Sequence, residues 1–379
     1  MKLTRITPFH IAIPYEHGAP KPIQTSGRER TTMDAVYVKV ETDAGVTGWG
    51  EAYGFGACPV TFAAFVKMVC PLAEGLTLGA PGSNSVSKAD VAALMWDLRR
   101  KTQSAGLNGP VSFALSGLDI ALWDIAGKTA GKPIHALLGD GNKSKVPAYA
   151  SMLKLGKKEH LEKVLNIALA RGHKQLKLHE KTVEAVAIAR AVVGPDVQLM
   201  LDCNCAFLAD EAPRIAEQLK PYNLAWFEEP IFPPDNYTAL ASLRKIGVPI
   251  AVGENLGNLN EVARLLDAKA VDIVQPDVCK MGGITELFKA IAMARVMNVA
   301  AEPHSPYYGP GLIASVHCLA SMEEAPGHET LAEYFFADLA ASPCGDAAIP
   351  HGGFLTVPNG PGLGIEVDEG MLERFRASH

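Results

Sequence analysis

QLMLDCN (198–204), AWFEEP (225–230), PIAVGEN (249–255), DIVQPD (272–277) and VAAEPH (299–304) are the stretches whose reading decides the fold. Each is a short β-rich run closing on a polar group, and QLKLH (175–179) opens the series. Amphipathic helical runs such as 161–171, 183–193 and 284–297 alternate with them. Strand and helix alternating at this spacing imply parallel strands with crossover helices. From about Val146 onward the expectation is therefore a closed (β/α) barrel. A doubly wound open sheet would normally carry a Gly-rich phosphate turn after its first strand, and none is found.

Outside this rhythm the chain is different. Residues 35–42 and 45–52 alternate apolar and polar side chains around Asp43-Ala44-Gly45, a hairpin signal. A long helix is expected over 111–130, where Leu115, Leu118, Ile120, Leu122 and Ile125 form an apolar stripe beside Trp123 and Asp124. After about Asp338 the chain becomes rich in Pro and Gly. The expected organisation is an α+β capping domain over 1–130, a barrel over 131–338, and a segment over 339–379 that folds back on the cap.

Composition narrows the function. At 379 residues and 48% hydrophobic content the chain can bury a sizeable core. The net charge of −6 comes from 35 basic and 41 acidic residues with no basic run, so nucleic acid is not an expected partner. The seven cysteines (58, 70, 203, 205, 279, 318, 344) are odd in number, and a chain this size needs no disulfide staples. Residues 1–15 read as a short strand broken by Pro8 and Pro14 rather than a signal peptide. No apolar run reaches the roughly 18 residues of a membrane span. A cytoplasmic enzyme without membrane contact is expected, and a homo-oligomer.

The polar groups arrive once per βα unit. Lys177 to Asp202 is 25 positions, Asp202 to Glu228 is 26, Glu228 to Glu254 is 26, Glu254 to Asp277 is 23, and Asp277 to His304 is 27. In a parallel barrel the carboxyl ends of the strands converge on one mouth, where barrel enzymes keep their chemistry. A single acid there could be a strand end or a helix N-cap. Three at equivalent stations of consecutive units read better as shared ligands. Asp202, Glu228 and Glu254 are hard oxygen donors, suited to Mg²⁺ or Mn²⁺ rather than Zn²⁺. Cys203 and Cys205 flank Asn204, and in a strand they would face away from it, so they are expected to pack outward from the barrel.

At these residues the sequence resembles the enolase superfamily, and within it the mandelate racemase subgroup. Ala121-Leu122-Trp123-Asp124-Ile125 and Leu137-Leu138-Gly139 are similar to the helix and turn before the family's barrel. Trp226-Phe227-Glu228-Glu229-Pro230, Gly253-Glu254-Asn255 and Gln275-Pro276-Asp277, running on to Gly282-Gly283, resemble its third to sixth strand motifs. The resemblance implies a (β/α)₇β barrel, TIM-like, with an N-terminal α+β cap completed by the C-terminal segment. It implies Asp202, Glu228 and Glu254 as metal ligands with Asn204 as a polar neighbour. Asp277 and His304 match a dyad in which the carboxylate orients a basic imidazole, and Glu333 matches an acid that binds the substrate carboxylate or the enolate. A muconate-lactonizing member would carry a lysine at Asp277. One departure stands out: the second strand often reads Lys-x-Lys in that subgroup, and here it reads Lys177-Leu178-His179.

The implied chemistry is removal of the proton beside a substrate carboxylate, giving a metal-stabilised enediolate. That scheme is the enolase superfamily's own, a Lys or His base working with one or two Mg²⁺ ions, so it enters as an implication of the resemblance. His304 is the expected base and Lys177 the expected partner of the substrate carboxylate. His179 could be a second base, a proton donor or a hydrogen-bonding group, and no carboxylate partner for it is visible. Lys21, Arg28 and Arg30 in the 16–31 loop, together with the 53–59 loop, are candidates for specificity. An acid-sugar dehydratase is the first expectation, followed by a racemase or epimerase of a 2-hydroxy acid, then a lactone cycloisomerase. An aldolase-type barrel would not need the Asp277–His304 pair, and a scaffold protein would need none of the set.

Overall fold

The computed structural model describes residues 1–22, 29–80, 82–83, 85–139, 141, 143–322 and 329–378. Three strands begin the chain: β1 (Leu3–Glu16), β2 (Thr32–Thr42) and β3 (Thr47–Ala52), paired antiparallel in the order β1-β2-β3. The β2–β3 hairpin turns at Gly45, whose φ of +73° suits glycine. β1 is continuous through Pro8 and Pro14, contrary to the broken strand expected from them. The reason is register. Backbone nitrogens at even positions of β1 point away from β2, as Ile6 N donating to Glu74 and Ala12 N donating to Phe375 O show. Proline at 8 and 14 therefore removes no ladder bond.

The hairpin lies on helix α1 (Pro110–Ala130), which is buried over most of its length between the sheet and the barrel. A helical run over Phe55–Ala73 is long and apolar enough, by length and composition, to cross a membrane, which the sequence reading did not anticipate. Cys58, Thr61, Phe65, Val69 and Ala73, at spacings of three and four, place one face of that run in the core.

Among the described residues eight parallel strands and seven helices follow in strict alternation. They are β4 (Lys145–Met152), α2 (Lys158–Ala170), β5 (Gln175–Leu178), α3 (Val183–Val193), β6 (Gln198–Asp202), α4 (Ala212–Leu219), β7 (Trp226–Glu228), α5 (Tyr237–Arg244) and β8 (Ile250–Val252). Then come α6 (Leu259–Asp267), β9 (Ile273–Val274), α7 (Gly283–Val296), β10 (Ala300–Ala301), α8 (Pro310–Ala320) and β11 (Ala332–Phe336). From β4 to β10 each strand pairs with the next, and β11 returns to pair with β4. Carboxylates bridge from β10 to β11: Leu331 N donates to Glu302 (2.6 Å) and Ser305 N to Glu333 (2.8 Å). This is the (β/α)₇β barrel.

The C-terminal segment touches both parts. Strand β12 (Asp338–Leu339) pairs with the end of β1, and Ala377 N donates to His10 O. Strand β13 (Phe354–Thr356) instead pairs antiparallel with β4 of the barrel.

Candidate active site

Parallel pairing sets the site. Asp202 and Glu228 are register partners at the ends of β6 and β7, so their side chains leave the barrel side by side. Glu254 lies two residues past β8, after Gly253, whose φ is +151°. A Cβ there would meet Gln275 N at 2.6 Å, so only glycine lets this turn lie against the next strand. The result is three carboxylate oxygens within 4.8 Å of one another.

Such a cluster, with Asp202 and Glu228 buried and Glu254 partly so, needs positive charge. Lys177, 0% exposed, supplies part of it, with Nζ 2.7 Å from Glu228 Oε1, 3.0 Å from Glu333 Oε1 and 3.5 Å from Asp202 Oδ2. Burial works against its charge, but the fields of Glu228 and Glu333 prevail and hold its pKa well above the usual lysine value. Glu228 Oε2 accepts from Trp226 Nε1 (2.7 Å) and Gln275 Nε2 (2.8 Å). Burial, only partly offset by Lys177, still pushes the Glu228 carboxyl up to about 7. Asp202 Oδ2 is buried without a directed hydrogen bond, although His179 Nε2 stands 3.0 Å away. A carboxyl reluctant to ionise, an oxygen without a donor and an all-oxygen set together fit a divalent cation.

His304 lies on the other flank. Its Nδ1 is 2.6 Å from Asp277 Oδ2, and its Nε2 is 3.0 Å from Glu254 Oε2. Asp277 also accepts from Tyr307 Oη (2.7 Å to each oxygen) and Cys279 N (2.7 Å), so it is held on every side. Burial opposes the imidazolium, but Glu254 and Glu333, with the Asp277 hydrogen bond, raise the His304 pKa well above the ordinary value.

The structure thus brings together Lys177, His179, Asp202, Glu228, Glu254, Asp277, His304 and Glu333, and it corrects several expectations about them. Lys177 is enclosed by three protein carboxylates, Glu228, Glu333 and Asp202. Glu333 is bonded to Lys177 and to Ser305 N, which fixes the loop after His304. His179 does have a carboxylate neighbour, Asp202, and its Nδ1 lies 2.5 Å from Met152 O. Because a carbonyl only accepts, Nδ1 carries the proton and Nε2 is the nitrogen turned to the ligands.

Past Asp202 the chain is no longer a strand. Asn204 and Cys205 adopt φ of +45° and +56°, so strand alternation does not apply to them. Asn204 is exposed and its backbone N, not its side chain, bonds Asp202 Oδ1 (2.8 Å). Cys205 does not pack outward as expected: its Sγ lies 3.0 Å from Glu229 Oε2. Arg28 lies outside the described residues. Arg30 sits over the Phe55 ring at 5.1 Å, and Lys21 pairs with Glu16 at 3.2 Å, so neither has a described contact with the ligand trio.

Sequence reasoning missed Trp226, Gln275, Tyr307 and Lys280. The first two had a usable signal, since each precedes a site acid by two residues and so shares its strand face. Tyr307 and Lys280 each stand three residues beyond a dyad member, in loops without a fixed period.

Fold and site together define a barrel enzyme built for metal-assisted acid–base chemistry at carbon, and comparison with known proteins agrees. Residues 160–371 match the family described as enolase C-terminal domain-like, and residues 10–139 the mandelate racemase / muconate lactonizing enzyme N-terminal domain. The chain belongs to this family of the enolase superfamily, whose members related to it are lyases and isomerases. It is 30% identical over 382 residues to D-galactarolactone cycloisomerase of Agrobacterium fabrum, covering 95% of this chain and 96% of that one. It is 31% identical over 358 residues to arabinonate dehydratase of Saccharolobus solfataricus, covering 91% of each. Among solved structures, a racemase from Streptomyces coelicolor with bound magnesium superposes with a TM-score of 0.83 at 25% identity, covering 99% of this chain and 100% of that one.

Proposed function

We propose that the protein is a Mg²⁺-dependent acid-sugar dehydratase, which removes the C2 proton of a sugar acid and expels the C3 hydroxyl to give a 2-keto-3-deoxy acid. The observation that carries this reading is the inequality of the two imidazoles. His304 rests its Nδ1 on a carboxylate, while His179 rests its Nδ1 on a backbone carbonyl. A carboxylate stabilises the imidazolium that forms when Nε2 takes a proton, whereas a carbonyl mainly fixes the tautomer. One strong base suits a one-sided elimination better than a racemisation, which needs matched bases on two faces. The dehydratase among its relatives supports the same reading.

Held by Asp202, Glu228 and Glu254, Mg²⁺ would act as a Lewis acid toward the charge building on the substrate carboxylate. Mn²⁺ shares the oxygen preference. Lys177 favours the ionised form of the ligands, and Glu333 holds Lys177 in place. His304 Nε2 takes the C2 proton, with Asp277 and Tyr307 holding the ring. The resulting imidazolium then protonates the C3 oxygen as the C3–O bond breaks, releasing water and leaving an enol that ketonises. A lactone cycloisomerase, favoured by the Agrobacterium relative, would share only the proton abstraction. A screen of sugar acids with Mg²⁺ that reads 2-keto acid formation tests the proposal. Turnover of a lactone alone would transfer the assignment to the cycloisomerase.

A further inference from the structure

Lys280 is the cation that this mechanism leaves unused. The residue is 5% exposed, yet among the described residues its ammonium has neither a hydrogen-bond acceptor nor an ion-pair partner. Its described contact is the face of Tyr53, 4.1 Å from the ring centroid. The backbone around it is pinned. Lys280 O accepts from Ser112 Oγ (3.0 Å), Lys280 N donates to Asp277 O (3.2 Å), and Tyr53 N donates to Cys279 O (3.1 Å). Cap and barrel therefore hold this side chain between them. Burial works to discharge it, but the neighbouring Tyr53, Glu254 and Asp277 more than compensate and raise its pKa.

An ammonium has three N–H donors and no acceptor of its own. Contact with one ring face meets none of those donors. Such an arrangement is complete only when an oxygen arrives from outside the chain. The substrate carboxylate is directed to the ligand trio, whose Asp202 and Glu228 adjoin Lys177. Lys280 belongs to the opposite flank, sharing the turn after β9 with Asp277 and the field of Glu254, which touches His304. Along a substrate whose C2 faces His304, the next oxygen on that flank is the one on C3.

We propose that Lys280 is a substrate-binding residue whose ammonium donates a hydrogen bond to the C3 oxygen of a bound sugar acid beneath the Tyr53 ring. This rests on the dehydratase reading and assigns it a recognition element that distinguishes a sugar acid from a bare 2-hydroxy acid.

The test uses a His304→Asn background with Mg²⁺, which blocks turnover, and measures binding of arabinonate, D-galactonate, D-gluconate and glycolate by calorimetry. Adding Lys280→Met should weaken the best-bound sugar acid roughly 10- to 100-fold, as loss of a charged donor does. Glycolate, which has no C3, and Mg²⁺ itself should change by less than about 2-fold. Lys280→Arg, which keeps charge and ring contact, should leave glycolate unchanged and reorder the preference among the three sugar acids; it carries the test if the Met variant does not fold. Equal sugar-acid affinity with and without Lys280, or equal losses for glycolate and sugar acid, overturns the assignment. If none of the three sugar acids binds the His304→Asn protein, the dehydratase reading itself falls, a signature distinct from failure at Lys280 alone.

Discussion

Asp202, Glu228 and Glu254 each present one oxygen to a common point, so each should be needed for the ion. Calorimetric titration of the three Ala variants should show Mg²⁺ affinity falling by more than about 100-fold, beyond the 10- to 100-fold typical of losing a partner behind a ligand. Parent-like affinity in any one of them would remove that residue from the site. Asp277→Asn should leave the melting temperature within a few degrees of the parent and lower kcat by roughly 10⁴-fold, because the amide no longer stabilises the charged imidazole. A loss under tenfold would mean that His304 needs no carboxylate. The stations of all these residues were legible in sequence, since one polar group per βα unit is a one-dimensional pattern. What each side chain touches was not. Lys177 is surrounded by Glu228, Glu333 and Asp202 because three separate strands converge on it, and His179 meets Asp202 because β5 and β6 lie in register. Spacing along the chain carries neither fact.

Strands are shorter than their hydrophobic runs suggest. The 272–277 and 299–304 runs keep only Ile273–Val274 and Ala300–Ala301 as ladder, with Asp277 and His304 joined beyond it by an isolated bridge. Apolar patterning marks which residues are buried, whereas ladder length follows from how twisted neighbours diverge, and the mouth residues lie where the chains leave the sheet. Asn204, Cys205 and Glu229 mark that departure with left-handed backbone, at about 1–2 kcal/mol each. The cap shows the opposite case, in which sequence and packing agree closely. Gly48 and Gly50 share one face of β3, and a Cβ on Gly50 would stand 2.0 Å from Gly117 O and 2.9 Å from Ala121 N of α1. Gly50→Ala must therefore push the helix off the sheet. Urea unfolding should show a loss of about 3 kcal/mol, the upper end for overpacking, and an unchanged midpoint would mean that the strand and helix are not in close contact.

Across the molecule, Glu51 links the cap to the end of the barrel. It sits on β3, is 1% exposed, and accepts from Gly311 N at 2.9 Å. Burial, helped by the Asp277 charge and opposed by the Gly311 bond, pushes its carboxyl from 4.5 to about 8. The folded state thus binds a proton that the unfolded state releases near 4.5, so this contribution is complete below that pH and is lost as pH rises through about 8. The slope in that window is about 1.4 kcal/mol per pH unit. Glu51→Gln keeps an oxygen for Gly311 and cannot ionise, so its melting temperature should gain on the parent as pH rises from 4.5 to about 8 and level off above that, and parallel curves would show that Glu51 is charged in the fold. The chemistry at the mouth depends on this whole frame, and the claim at its centre is that one base removes the C2 proton and the C3 hydroxyl leaves. The most direct measurement is to incubate a turned-over sugar acid with enzyme and Mg²⁺ in D₂O and follow C2 and C3 by NMR. The expected result is a 2-keto-3-deoxy acid with deuterium at C3 and recovered substrate of unchanged C2 configuration. Inverted substrate bearing deuterium at C2, without any 2-keto acid, would contradict it and identify an epimerase.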